Sequence, residues 1–226
     1  MNPGAFFNRA LYRKLAAEAL GTALLLATVV GSGIMGERLA GGNAAVALLA
    51  NSIATGAALF ALITIYAPIS GAYFNPVVTM IEAWSGRLPR RQAPFYVAAQ
   101  FAGAVVGVWV AHLMFDLPLI HPSQHARTGA AQWFSEFVAT FGLLTVILHG
   151  SKLRATTVAA MVACYITAAY WFTASTSFAN PAVTFARSLT DTFAGIRMID
   201  APMFMLAQVA GAIAAYVVYQ AVIREY

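Results

Sequence analysis

The chain has 226 residues, 61% of them hydrophobic and 9% charged, with a formal net charge of +5. Soluble domains carry about 25% charged residues, so composition excludes a soluble globular domain of this size. The positive charge does not indicate nucleic acid either, because the basic residues sit in short stretches between long apolar runs and serve to orient a membrane protein.

In chain order, Phe6 and Phe7 precede Arg9, Arg13 and Lys14 and lead into an apolar run, Lys14 to Gly36, that surrounds the single acid Glu18. That run is long enough for a full span, so it does not read as a cleavable signal. A bilayer core needs roughly 20 apolar residues per helix. Residues 39–81 hold no charge, yet they are too many for one span and, with Pro68, Gly71 and Pro76, too broken for two. They predict one span, a tight turn and a short helix near 75–84 that starts at Asn75-Pro76. Residues 92–115 form a third span, and 130–149 a fourth around Glu136. Residues 155–186 repeat the earlier pattern, a span followed by a short helix near 180–190 that starts at Asn180-Pro181; residues 201–223 form the sixth span. Asn is a favoured helix N-cap and Pro a favoured first helical residue. A half-helix that starts in mid-membrane is tolerable only when it is buried in protein or lines a wet cavity.

The order is duplicated. AQFAGA (99–104) recurs as AQVAGA (207–212), SGAYFNPVVT (70–79) as STSFANPAVT (175–184), and, more weakly, AEALGT (17–22) as SEFVAT (135–140). The expected organisation is two three-span halves, 1–115 and 125–226. Three spans are an odd number, so the second half enters the membrane inverted, and inverted repeats build a pathway at their shared interface. The fold class is therefore all-α: six transmembrane helices plus two re-entrant half-helices. Arg9, Arg13, Lys14, Arg87, Arg90, Arg91, Lys152, Arg154 and Arg224 fall on one side of this arrangement, and only Arg38, Arg127, Arg187 and Arg197 on the other. By the positive-inside rule both termini are cytoplasmic. Cys164, the one cysteine, lies inside a span and can form no intrachain disulfide.

Paired Asn-Pro half-helices in an inverted six-span duplication resemble the aquaporin and aquaglyceroporin superfamily, the major intrinsic proteins. Asn75-Pro76-Val77 is similar to the family's first signature, with Val77 for the usual Ala, and Asn180-Pro181-Ala182 matches the second. Glu18 and Glu136 stand where the family keeps an acid in its first and fourth spans. The resemblance implies a passive channel for small neutral solutes, assembled as a homotetramer with one pore per subunit, with no enzyme activity, cofactor or metal. His112, His121, His125 and His149 show no ligand-like spacing.

The physical reading of these residues agrees. Each half-helix carries a partial positive charge at its N-terminus, and two facing N-termini oppose cations while Asn75 and Asn180 offer amide N–H groups to a passing hydroxyl. Membrane-embedded acids by default suggest a proton relay. The competing role for Glu18 and Glu136, favoured here, is to accept from backbone N–H groups of the re-entrant loops. Gly21, Gly103 and Gly211 are expected to allow close helix packing, and Trp84, Trp109, Trp133 and Trp171 to act as interface anchors and filler.

In the family, four residues form the narrowest ring. By motif offset these are Thr55, Ala168, Ser177 and Val183. The family usually has Arg after the second signature, where this chain has Val183, and on this assignment the ring holds no aromatic and no His. A wide, weakly polar ring follows, suited to glycerol-type polyols, arsenite or methylated arsenicals, with water as a further candidate; bacterial members with Val at this position are associated with metalloids. Arg187 stands four residues beyond Val183 and is either a displaced vestibule arginine or an i,i+4 partner of Asp191, the latter preferred. Tyr73 replaces a frequent His. The alternatives are an ammonia or urea channel, or a proton-coupled transporter using Glu18 and Glu136. The short chain suits a bacterial inner membrane.

Overall fold

A computed structural model describes residues 8–223; Phe6, Phe7 and Arg224 lie outside them. The helices are α1 (Arg9–Leu39), α2 (Ala44–Ser70), α3 (Pro76–Trp84), α4 (Ala93–Met114), α5 (Ala130–Gly150), α6 (Ala155–Phe172), α7 (Pro181–Arg187) and α8 (Ala201–Val218), the last running into a π-helical turn, Tyr219–Ile223. Among the described residues six helices are long and apolar enough to cross a membrane, and no strand forms; His121 and Thr190 make an isolated bridge between loops.

The local chemistry sets the ends. Asn8 caps α1 by accepting from the Leu11 N–H, and Asn43 caps α2 by accepting from Ala45 and Val46. Gly71, at φ 98°, closes α2 in the left-handed conformation that glycine adopts without strain. Asn75 and Asn180 cap α3 and α7, each followed by Pro at the first helical position. The second half-helix ends at Arg187, three residues short of the expected 190, because Ser188 and Leu189 turn back with N–H bonds to Phe185 and Ala186.

Helix packing follows the duplication. α1 lies on α4 as α5 lies on α8, and α2 meets α6 across the centre. Gly103 and Gly211 mark the two repeat-related crossings. A Cβ at Gly103 would stand 2.2 Å from the Ala19 carbonyl oxygen, and one at Gly211 2.4 Å from that of Phe137. Only hydrogen fits there, so these glycines let the backbones touch. The outward faces stay apolar, with Leu20, Ile53, Phe60, Leu113, Phe134 and Val217 exposed, as a helix bathed in lipid requires. With an even number of spans, both described ends share one face, called here the terminal face. The loops 40–43, 115–129 and 188–200 share the opposite, far face, where the Arg197 N–H donates to the His125 carbonyl. The Trp84 ring packs tilted against that of Tyr216, 6.4 Å between centroids, and the Trp171 indole N–H donates to Ser52 Oγ at 3.1 Å.

Candidate functional site

The two re-entrant loops are held by the two intramembrane acids. Glu18 Oε1 accepts from the Tyr73 N–H at 3.1 Å and from Ser70 Oγ at 2.7 Å, and its Oε2 from the Phe74 N–H at 2.8 Å. Glu136 accepts from the Phe178 N–H at 2.9 Å and the Ala179 N–H at 2.8 Å. Both carboxylates are fully buried, and among the described residues neither has a cationic partner within ion-pair distance. Backbone donors with no water to turn to cost several kcal/mol each in a membrane, and these carboxylates satisfy them.

A second pair completes each clamp. Gln100 Nε2 donates to Glu18 Oε2 and to Thr79 Oγ1, both at 2.8 Å. Gln208 Nε2 donates to Glu136 Oε2 at 2.6 Å and to Thr184 Oγ1 at 2.8 Å. The sequence reading gave these glutamines no role, although each is the polar residue of the duplicated AQ-AGA segment. A polar side chain inside an otherwise apolar repeat was the available signal.

The clamps hold backbone that would not stand alone. Ala72 and Phe74 in the first loop, and Ser177 and Ala179 in the second, have φ between 49° and 52°, a region that costs non-glycine residues on the order of 1–3 kcal/mol each. The four positions are repeat-related, so the same strained course is built twice. Across the junction the asparagines exchange bonds: Asn75 Nδ2 donates to the Ala179 carbonyl and Asn180 Nδ2 to that of Phe74, each at 2.8 Å. Their oxygens cap the half-helices, Asn75 Oδ1 accepting from Val77 and Asn180 Oδ1 from Ala182 and Val183. Each amide keeps one N–H to offer.

Both asparagines face a cavity of about 280 Å³, lined from Arg187 on the far side to Glu82, Arg87 and Ser151 on the terminal side. Val78 and Val183, equivalent residues of the two half-helices, line it, whereas Val77 and Ala182 are buried behind it. Thr55, Ser177 and Val183 also line it. Ala168 does not: it is exposed on the outer surface of α6. The cavity stripe of that helix is Val158, Val162, Ile166 and Tyr170, stepping by four residues, and Ala168 falls off that face. Tyr170 takes the place expected of Ala168, its hydroxyl 3.2 Å from Thr55 Oγ1. The wall therefore carries an aromatic at this level, contrary to the expectation of none. Ser177 Oγ has no hydrogen-bond partner among the described residues.

Arg187 also differs from its preferred assignment. Its Nε donates to the Ala194 carbonyl, while Asp191 Oδ1 accepts from the Gln124 N–H at 2.9 Å, so the expected i,i+4 pair is absent. At the terminal end, Glu82 is buried and gripped by Arg87 through two bonds of 2.6 and 2.7 Å. The ring of Tyr73 lines the cavity nearby, 5.8 Å from that of Tyr96.

The model of the family "Major intrinsic protein" matches residues 6–171. The chain is a major intrinsic protein. This family of membrane channels is not enzymatic. The channel is 58% identical over 205 residues to "Aquaglyceroporin AqpS" of Rhizobium meliloti (strain 1021), covering 91% of this chain and 88% of the other. It is 36% identical to "Aquaporin NIP1-4" of Oryza sativa subsp. japonica over 59% of this chain and 48% of the other, so it spans about half the length of that plant relative. In fold, it superposes on the X-ray structure of the aquaglyceroporin from Plasmodium falciparum with a TM-score of 0.73, 20% identity and coverage of 95% and 98%. The second Asn-Pro motif lies beyond the matched family region, and its geometry places it opposite the first.

Proposed function

We propose that this channel passes small uncharged polyhydroxylated solutes, glycerol-like polyols and arsenite or methylated arsenicals among them, through a ring formed by Thr55, Tyr170, Ser177 and Val183. What supports the reading is that Thr55, Tyr170, Ser177 and Val183 all line the cavity, and these four bring three hydroxyl-bearing side chains, one aliphatic and no charge. A polyol or a metalloid hydroxide presents hydroxyl groups on a compact neutral body. Its hydroxyls exchange water for Thr55, Tyr170, Ser177 and the free N–H groups of Asn75 and Asn180, while its less polar side slides along Val183. An ion cannot recover its hydration from so few partners. The relative named aquaglyceroporin, at 58% identity, supports this solute class.

Glu18 and Glu136 serve in this reading as scaffold: the hydrogen bonds described for them come from a re-entrant loop, from Ser70 at the end of α2 or from a glutamine, which speaks against a proton-coupled transporter. Ammonia and urea are small and neutral enough to share the path. The halves 1–115 and 125–226 act as an inverted pair with the junction as their common centre. The terminal face, bearing Arg13, Lys14, Arg90, Arg91 and Lys152, is the cytoplasmic one of a bacterial inner membrane, and the exposed apolar helices pack as a homotetramer.

The test is solute uptake into proteoliposomes. Uptake of glycerol and arsenite should rise linearly with concentration and ignore an imposed proton gradient. Saturable, gradient-driven accumulation would overturn the channel reading in favour of coupled transport.

A further inference from the structure

Val183 leaves the ring without a cation, yet the far end of the cavity is not without charge. Arg187 follows Val183 by one turn on α7 and lines the same cavity. Its guanidinium carbon lies 3.4 Å from the centroid of the Phe178 ring, and a second buried guanidinium, that of Arg127, lies 5.2 Å from the same centroid. One stretch of loop holds both. Arg127 donates to the carbonyls of Phe193, Gly195 and Ser175, and Arg187 to the Ala194 carbonyl between the first two. Phe178 is fixed in turn by an edge contact with Phe204 at 5.2 Å.

What surrounds the pair matters as much. Among the described residues neither arginine has an ion-pair partner. The acids of the region are committed elsewhere: Asp191 to the Gln124 N–H, Asp200 to the Arg197 side chain and the Arg127 N–H, Glu136 to the re-entrant loop. Burial pulls the Arg127 guanidinium down to about 10, still far above neutral pH, so it stays charged. No hydrogen bond among the described residues takes the terminal nitrogens of Arg187. The site is a paired cation, stacked on an aromatic face, held by carbonyls and beside the conduit.

We propose that Arg187, positioned by Phe178 and Arg127, is the residue that keeps cations out of this pore, acting one turn outside the ring that Val183 leaves uncharged. A low-dielectric wall focuses such a field into the lumen. A cation meets two positive charges, neither held in an ion pair, before it reaches Ser177, whereas a neutral hydroxylated solute meets only hydrogen-bond donors. This also separates two jobs: Val183 gives width, and Arg187 gives charge selection.

The inference rests on the channel reading, and the test keeps the two apart by measuring a matched pair of permeants, urea and guanidinium, in the same proteoliposomes. Wild type should pass urea and admit guanidinium at no more than one hundredth of that rate. Arg187→Gln should raise the guanidinium-to-urea ratio about tenfold or more, since a unit charge close to the lumen at an effective dielectric near 20 weights cation occupancy by roughly one to two powers of ten. Arg187→Lys, which keeps the charge and loses the stacked plane, should fall between. Arg127→Gln, one residue removed from the lumen, should raise the ratio less. Comparable guanidinium and urea rates in wild type overturn the proposal without any variant, and so does a ratio unchanged in Arg187→Gln. No urea or glycerol flux in wild type defeats the channel reading itself and takes this inference with it.

Discussion

Replacing Glu136 by Gln keeps the size of the side chain and exchanges one acceptor oxygen for a donor. In the native protein three donors converge on that carboxylate: the Phe178 N–H at 2.9 Å, the Ala179 N–H at 2.8 Å and Gln208 Nε2 at 2.6 Å. Whichever way the new amide turns, its NH2 faces a backbone N–H. At least one buried donor is then orphaned, the Phe178 N–H on one side or the Ala179 N–H and Gln208 Nε2 on the other, at about 1–3 kcal/mol, and the remaining bonds fall from charge-assisted to neutral, about 1 kcal/mol more. Removing a buried charge relieves some desolvation, but the native carboxylate has filled acceptor sites and little such strain to relieve. The net is a loss of about 3 kcal/mol, or about 6–12 °C in melting temperature for a chain of this size. The loss falls on the loop that holds Ser177 and Asn180, so solute flux should drop with it. The assay is thermal melting of a fluorescent fusion in detergent by size-exclusion chromatography, beside solute uptake at several pH values. A variant that melts within about 2 °C of wild type and changes only the pH dependence of uptake would refute the scaffold role and make Glu136 a proton carrier.

Three further outcomes follow from the geometry. Gly103→Val should lower the melting temperature and the yield of folded protein, because its Cβ would fall 2.2 Å from the Ala19 carbonyl; overpacking of this kind costs about 1–3 kcal/mol or more, and a wild-type melt would contradict the close crossing. Tyr170→Ala should raise glycerol permeability several-fold relative to water, while Ala168→Phe, on the outer face of α6, should leave that ratio unchanged in the stopped-flow swelling assay. On the far face, burial first, and then the charges of Arg127 and Arg187, push the His125 imidazole below its ordinary value of 6.5. The unfolded chain then takes up a proton before the folded one does, so stability is complete above about pH 6.5 and falls as acidification proceeds toward the folded value. Hydrogen exchange in loop 188–200 should quicken over that interval in wild type and not in His125→Gln.

The sequence made the architecture legible because the decisive signals are local and doubled. Four charge-free runs and two apolar runs around single acids marked the spans, and two Asn-Pro pairs at equivalent places marked the half-helices, since N-cap and first-turn chemistry act within a few residues. Glu18 and Glu136 could be assigned to the loops because they stand at repeat-related places, have no buried basic partner in the sequence pattern, and answer the need of bare backbone donors in a membrane for acceptors. Where the reading failed, the answer depended on rotation or on distant chain. Ala168 and Tyr170 are two residues apart, and which one faces the lumen depends on the phase of α6, which a count back from the loop motif does not fix. The observed phase turns Thr167 onto Gly56, where a Cβ would stand 2.1 Å from Thr167 Oγ1, a close approach that depends on another helix. Asp191 was the natural partner of Arg187 by spacing, but the loop carrying Gln124 crosses from another part of the chain and claims it. Arg127 entered the reading only as one far-face charge; nothing near it in sequence announced that it would be buried against Phe178.

The most direct test of the account is the glycerol and arsenite permeability of proteoliposomes by stopped-flow light scattering, wild type against Val183→Arg. The account predicts that wild type passes both solutes and that the arginine, placed in the ring beside Thr55, Tyr170 and Ser177, cuts their permeability at least tenfold while water permeability falls less. Wild type that passes only water, or a variant that conducts both solutes as wild type does, would contradict it.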